Sequence, residues 1–439
     1  MFLILCFHFK LKTKFYISLS FVFLMKGVFV ILDGVADEPC EVLGGKTPLE
    51  YAKTPNLNFL AKKSKIDYCY TVKEGVAPES SSAIVSLFGQ DPRFAPRGVL
   101  EAIGAGIKLK NGDLALRANF ATVDNLKNRN VIDRRAGRTL STKEAQILAK
   151  AINEQVKLPF KFEFYPTVHH RGVLIFRGNF SDNITNVDKG YGLGKVNESV
   201  GSIKLVDSEP MDDSEEAKLS ADLVNAFIRH SHEVLENHQI NLERKRKGLY
   251  PANVILCRDA GSEILKFKKL RGKWMALADM PLEKGIGRLL GMDIYSFSYP
   301  KLRGIDVYDC LYVGLKKAIK KSIKMLKRNR DKYDYFYIHF KETDTPGHDN
   351  KPFDKVKMIE ILDERFFGFL NKFLGNKRAV VTADHTTACR KKAHTDGAVP
   401  VIIYPSEREE EKRFSEEQGL KGKKIVGRKI LDSTLFSKK

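Results

Sequence analysis

The chain has no Cys-x-x-Cys pair. Its six cysteines, Cys6, Cys40, Cys69, Cys257, Cys310 and Cys389, are scattered. That argues against a disulfide or zinc-ribbon framework and for a reducing, cytoplasmic setting. Internal repeats and low-complexity segments are absent too, so the 439 residues read as ordinary globular sequence with room for two domains. Acidic residues are the minority: 75 Lys and Arg stand against 54 Asp and Glu, a net charge of +21. Such an excess suits nucleic acid, a membrane surface, an acidic small substrate or simply a solvated surface. No nucleic-acid-binding motif accompanies it. The densest basic runs, Arg244 to Lys247 and Lys316 to Arg328, read as solvated helix faces.

Long uninterrupted apolar runs are missing as well. Residues 1–24 are apolar and aromatic but broken by Lys10, Lys12 and Lys14, with no small-x-small cleavage site after them. Met25-Lys26 then leads directly into a strand-like run. The expectation is that Met25 is the natural start and residues 1–24 a dispensable extension.

Strand and helix signals alternate from residue 26 to about 100. Thr54-Pro55 reads as an N-cap with Pro at N1. Ser80-Ser81-Ser82 opens an apolar helix that Gly89 ends. Between about 105 and 275 the pattern changes. Asp113 to Val123 and Lys161 to Arg177 look like strands. Ser141-Thr142-Lys143-Glu144 is a capping box, and a long helix spans Ser214 to Asn237. After Trp274 the alternation returns. The expected fold is α/β, with a mostly parallel core formed by 25–104 and 276–439. An α+β domain, 105–275, is inserted in it.

Metal-type residues sit where three predicted strands end. Asp33 follows Val28 to Leu32. Asp344 and His348 follow Tyr335 to Phe340, across a Pro-Gly loop. Asp384-His385 follows Ala379 to Thr382, and His394 comes soon after. Open α/β sheets bind ligands beyond the carboxyl ends of their strands, so parallel neighbours would bring this set together. Three Asp and three His supply donors for two divalent metals. A serine at a helix N-terminus, among 80–82, would be a nucleophile whose pKa such a metal lowers. The alternative is a serine that merely caps the helix. Arg134, Arg135 and Arg138, around Gly137, suit phosphate or carboxylate oxygens, as do His170, Arg171 and Arg258 in the same domain.

Several segments carry a resemblance to the archaeal-type cofactor-independent phosphoglycerate mutases of the alkaline phosphatase superfamily. They are Ile31 to Gly34, Thr47 to Ala52, Ser86 to Pro92, Asn119 to Thr122, Asp133 to Arg138, His339 to Asp344, Gly347 to Pro352 and Ala383 to His385. The resemblance covers Met25 to nearly the C-terminus. It implies one metal on Asp344, His348 and His394. A second metal would lie on Asp33, Asp384, His385 and the nucleophile Ser80. Manganese or magnesium is expected, with cobalt or zinc as alternatives. Lys341 and Lys284 are candidates for assisting phosphoryl transfer. The implied substrate is phosphoglycerate, used without 2,3-bisphosphoglycerate, with no nucleic-acid or membrane partner. The chain departs from the family at Glu79-Ser80-Ser81, where Gly-Ser-Asp is usual. It departs also at Ile84, often His, and at Ala383, usually Gly. The metal residues alone also fit a phosphatase or phosphopentomutase with this core. A basic binding protein without activity is the reading from another class.

Overall fold

A computed structural model describes residues 25–188, 204–298 and 307–437; residues 1–24, the expected extension, lie outside these. The described residues form two large sheets and a two-stranded ribbon, Thr386–Ala388 with Ala393–Thr395. Gly27–Leu32 lies near the middle of the eight-stranded sheet, between Tyr335–Phe340 and Arg378–Thr382, and runs parallel to both. All six of its residues are buried. Both faces are covered, so a strand of this kind is a continuous apolar run. Trp274–Ala278 and Asp293–Ser296 extend the parallel set on one side. Val399–Tyr404 and Lys65–Tyr70 add antiparallel pairings on the other, with Lys424–Val426 at the edge. Trp274 and Met275, expected at the end of the insertion, therefore pair in the large sheet.

The chain leaves this sheet after the helix Arg97–Ala105 and builds a second, antiparallel sheet of five strands. Leu114–Val123 is its centre, flanked by Arg171–Phe176 and Val254–Gly261. Phe162–Pro166 and Val131–Asp133 complete it. The helices Thr142–Gln155 and Glu215–Glu236 bury Leu148, Ile152, Val224 and Phe227 against Leu116, Phe120, Phe164 and Phe176. The capping box forms: Ser141 Oγ accepts from Glu144 N, and the Glu144 carboxylate accepts from Ser141 N.

Thr54 does not cap with its side chain. The helix Pro55–Lys62 is capped instead by the Asp363 carboxylate, which accepts from Asn56 N at 3.2 Å and Leu57 N at 2.6 Å. The basic run at 244–247 also differs from expectation. Arg244 is only 2% exposed. Its guanidinium donates to Thr139 Oγ1 at 2.7 Å, Tyr250 O at 2.9 Å, Glu144 Oε1 at 3.1 Å and Ala136 O at 3.3 Å. A residue from a charged run thus holds the 134–138 loop from below.

Candidate metal centre and active site

Register brings the three strand ends together. Leu32 pairs with Phe340 and Ile31 with Thr382, so Asp33, Lys341 and Asp384 emerge at one edge. The backbone must then turn sharply. Gly34 has φ +54°, and a Cβ there would meet Asp344 Oδ1 at 2.7 Å. Its N–H donates to Asp384 Oδ1 at 3.1 Å. Asp344–His348 is a helical turn rather than an open Pro-Gly loop. The i, i+4 spacing puts both side chains on one face.

Two ligand groups result. In the first, His348 Nε2 lies 3.4 Å from Asp344 Oδ2, His394 Nε2 3.6 Å from Asp344 Oδ1, and the two imidazole nitrogens 3.2 Å apart. In the second, His385 Nε2 lies 3.3 Å from both Asp33 Oδ1 and Asp384 Oδ2. Tautomers follow from the partners of the other ring nitrogens. His348 Nδ1 faces Lys392 O at 3.0 Å and His394 Nδ1 faces Pro78 O at 2.9 Å. A carbonyl only accepts, so both Nδ1 atoms carry a proton, and in the neutral form each Nε2 would present a lone pair to an ion. Thr387 Oγ1 donates to Asp344 Oδ1 at 2.8 Å, so His385 Nδ1, 3.0 Å away, must donate to that hydroxyl. Its Nε2 is left as a ligand too.

The electrostatics call for a cation. Asp33 and Asp384 are 2% and 0% exposed. Burial and the neighbouring Asp33 charge push Asp384 up to about 7. Burial opposes ionisation of Asp33 as well, but Lys341, whose Nζ contacts Oδ2, together with the neighbouring His339 outweighs it and holds Asp33 below the usual carboxylate range. Burial lowers the His394 imidazole, yet Asp344 and Glu79 outweigh it and raise it to about 10. Asp33 Oδ1 and Asp384 Oδ2 are buried with no hydrogen-bond partner. Orphaned carboxylate oxygens beside imidazole lone pairs are costly unless a metal satisfies them. Oxygen and imidazole donors together fit a divalent first-row ion or magnesium.

Ser80 begins the helix Ser80–Leu87, and Glu79, not a serine, occupies the N-cap position. Ser80 Oγ is 3.2 Å from His385 Nε2. Ser82 Oγ turns back to donate to Glu79 O. Of these two hydroxyls, Ser80 is the one on the ligand set. Ile84 is fully buried core.

The arginines arrive from the second sheet. Arg258 sits within the strand Val254–Gly261, directly opposite Arg117, and both are buried. Arg97 pairs with Glu101 at 2.7 Å, and Arg117 lies 3.5 Å from the same carboxylate. Burial alone would raise Glu79, but His394, Arg258, Arg97 and Arg117 bring it down to about 2. These guanidiniums therefore act on the residue next to Ser80. Arg135 lies close enough to Arg171 and His170 to lower both, after the larger effect of burial. Arg134 is paired with Asp188 at 2.6 Å. Arg138 reaches Asp349, beside His348, through two bonds of 2.7 and 3.1 Å. Lys341 Nζ also pairs with Glu283 Oε1 at 3.0 Å. Lys284 instead lines a separate pocket with Asp279 and Arg288, while its neighbour Glu283 faces Lys341 and His339. Arg97, Arg117, Glu283 and His339 belong to this wall without being among the candidate site residues of the sequence. A lone charge inside an apolar strand, as at Arg117 and His339, was the available signal.

A profile of the family described as 2,3-bisphosphoglycerate-independent phosphoglycerate mutase matches residues 61–241. The enzyme of that name from Thermococcus kodakarensis is 39% identical over 386 residues, covering 86% of this chain and 88% of its own length. The one from Pyrococcus abyssi is 38% identical over 407 residues, 90% of this chain and 93% of its own. Among solved structures, the PH0037 protein from Pyrococcus horikoshii superposes with a TM-score of 0.71 at 29% identity, covering 95% of this chain and 99% of its own. Cofactor-independent phosphoglycerate mutase from Thermoplasma acidophilum gives 0.53 at 26% identity, covering 94% and 99%. The mostly parallel sheet with its helices is the alkaline-phosphatase-like fold expected from the sequence. By its ordered motifs and its similarity over most of its length, this chain belongs to the 2,3-bisphosphoglycerate-independent phosphoglycerate mutase family.

Proposed function

We propose that the chain interconverts 3-phosphoglycerate and 2-phosphoglycerate through a phosphoserine at Ser80, without 2,3-bisphosphoglycerate, in the cytoplasm. The observation that carries this reading is Ser80 Oγ at 3.2 Å from His385 Nε2, between the metal-type ligands and the buried guanidiniums. Asp344, His348 and His394 would hold one divalent ion. Asp33, Asp384, His385 and Ser80 would hold the other. Manganese or magnesium suits these donors, with cobalt or zinc as alternatives. When bound, the ions supply positive charge that lowers the Ser80 hydroxyl's pKa and neutralises phosphoryl oxygens.

The chain's own residues do the rest. Ser80 Oγ forms a bond to phosphorus as the bond to the glycerate oxygen breaks. Lys341, held in its charged form mainly by Asp33 and Glu283 against burial, adds a cation to the same wall. Arg135, Arg171 and Arg258, with His170, retain the glycerate carboxylate while the molecule turns. Arg134 and Arg138 shape that wall through Asp188 and Asp349. The other hydroxyl then attacks the phosphoserine. The second sheet, from about residue 105 to 273, serves as the lid that keeps water from that intermediate. The test is conversion of 3-phosphoglycerate by metal-supplemented protein lacking 2,3-bisphosphoglycerate, with the trapped phosphate mapped by mass spectrometry. Release of free phosphate alone would favour a phosphatase, and phosphate on Ser81 would displace Ser80.

A further inference from the structure

Strand alternation puts Tyr337 and His339 on one face of Tyr335–Phe340, with Ile338 and Phe340 on the other. Leucine or valine would be the ordinary occupant of position 339, level with Ile31 in the sheet centre. The imidazole there has a side chain only 1% exposed. Its Nε2 lies 3.5 Å from Asp33 Oδ2 and 3.8 Å from Asp384 Oδ2. These separations exceed a hydrogen bond, and Nε2 has no hydrogen-bond partner. They are close to the roughly 3.0–3.6 Å that separates neighbouring donors around one ion at about 2.1 Å. One donor atom each from Asp33, His339 and Asp384 falls within a 4.8 Å span.

The other ring nitrogen has the partners such a role needs. Nδ1 is 3.0 Å from the Tyr337 hydroxyl and 3.8 Å from Glu283 Oε1. With Nδ1 donating to the Tyr337 hydroxyl, the ring is fixed and the Nε2 lone pair faces the carboxylates, the usual outer support of a metal-bound imidazole; Glu283 Oε1 lies beyond hydrogen-bond distance and adds only its charge. Asp384 Oδ2 is orphaned beside it; the Asp33 oxygen facing the ring is Oδ2, which Lys341 Nζ also contacts, while the orphaned Oδ1 faces His385.

We propose that His339 is an additional imidazole ligand of the metal held by Asp33, Asp384 and His385. The inference rests on the two-metal reading above. A second imidazole makes this site richer in nitrogen, and so shifts its preference from magnesium toward manganese, cobalt or zinc.

The test uses the full chain labelled with 15N-histidine and loaded with 113Cd. Four imidazoles, His339 among them, should show nitrogen–cadmium coupling. The variant His339→Gln should lower the affinity of one of two cadmium sites by at least about 10–100-fold, the loss typical even of outer-shell partners. A His348→Ala variant should weaken the other site and leave His339 coupled. Coupling limited to His348, His385 and His394, with two sites of unchanged affinity in His339→Gln, would overturn the assignment. Failure of wild-type protein to bind cadmium at all would instead reject the two-metal reading. Coupling in the wild-type chain is readable even if His339→Gln does not fold.

Discussion

Replacing Asp349 with Asn should turn a mutase toward a phosphatase. Asp349 is one point where the 134–138 loop of the second sheet touches the core that carries the proposed metal ligands. It takes two bonds from Arg138, of 2.7 and 3.1 Å, and one from the Tyr308 hydroxyl at 2.9 Å. A bidentate, charge-assisted pair of this type is worth about 1.5–3 kcal/mol when shielded. Here the side chains are 22% and 27% exposed, so solvent screening reduces that to about 1–2 kcal/mol. Asn conserves shape and removes the charge. The closed arrangement should lose that amount, raising the open population about 5–30-fold. Water should then reach the proposed phosphoserine more often. Two assays on one sample decide it: 2-phosphoglycerate formed and inorganic phosphate released per turnover. The ratio should move toward phosphate by a similar factor. Raising salt should move the wild type in the same direction and Asp349→Asn less. An unchanged ratio, with normal folding, would refute the view that this contact closes the site.

Arg244→Met should destabilise the second sheet by about 3–5 kcal/mol, because it leaves a buried network without its cation; urea unfolding reads this, and mutase KM should rise as the 134–138 loop loosens. Glu144 tests pH dependence. Burial would raise this carboxyl, but its bonds from Ser141 and the Arg244 charge lower it. Its contribution is therefore present above the ordinary carboxylate pKa and lost as pH falls through the lowered value. A Glu144→Gln variant should show a flatter stability profile below about pH 4.5. Lys355 is fully buried and donates to Asp37 Oδ2 at 2.7 Å, Thr387 O at 2.8 Å and Ala36 O at 3.2 Å. Lys355→Met should cost about 3–5 kcal/mol by stranding Asp37, measured by thermal unfolding. Exhaustive chelation should abolish turnover, and manganese or cobalt should restore it; full activity after chelation would reject the metal centre.

Local chemistry alone determined much of this protein. Val28 to Leu32, Tyr335 to Phe340 and Ala379 to Thr382 are legible as buried parallel strands because a strand covered on both faces must be apolar throughout. A strand that ends in Asp places that carboxylate at the sheet edge whatever its neighbours are. The Ser141–Glu144 box is equally local, since both partners lie within one turn. The residues that were not legible take their meaning from distant partners. Asp363 caps a helix 306 residues away in the chain. Arg244 looks like a surface charge until Thr139 and Glu144 are folded over it. Arg117 faces Arg258 only through the register of two strands far apart in sequence, and Arg138 meets Asp349 across 211 residues. His339 stands out as a polar residue in an apolar strand, but its role is decided only where the sheet brings Asp33 and Asp384 against its ring. Burial and pairing of a charge depend on which surfaces meet, and only the tertiary structure decides that.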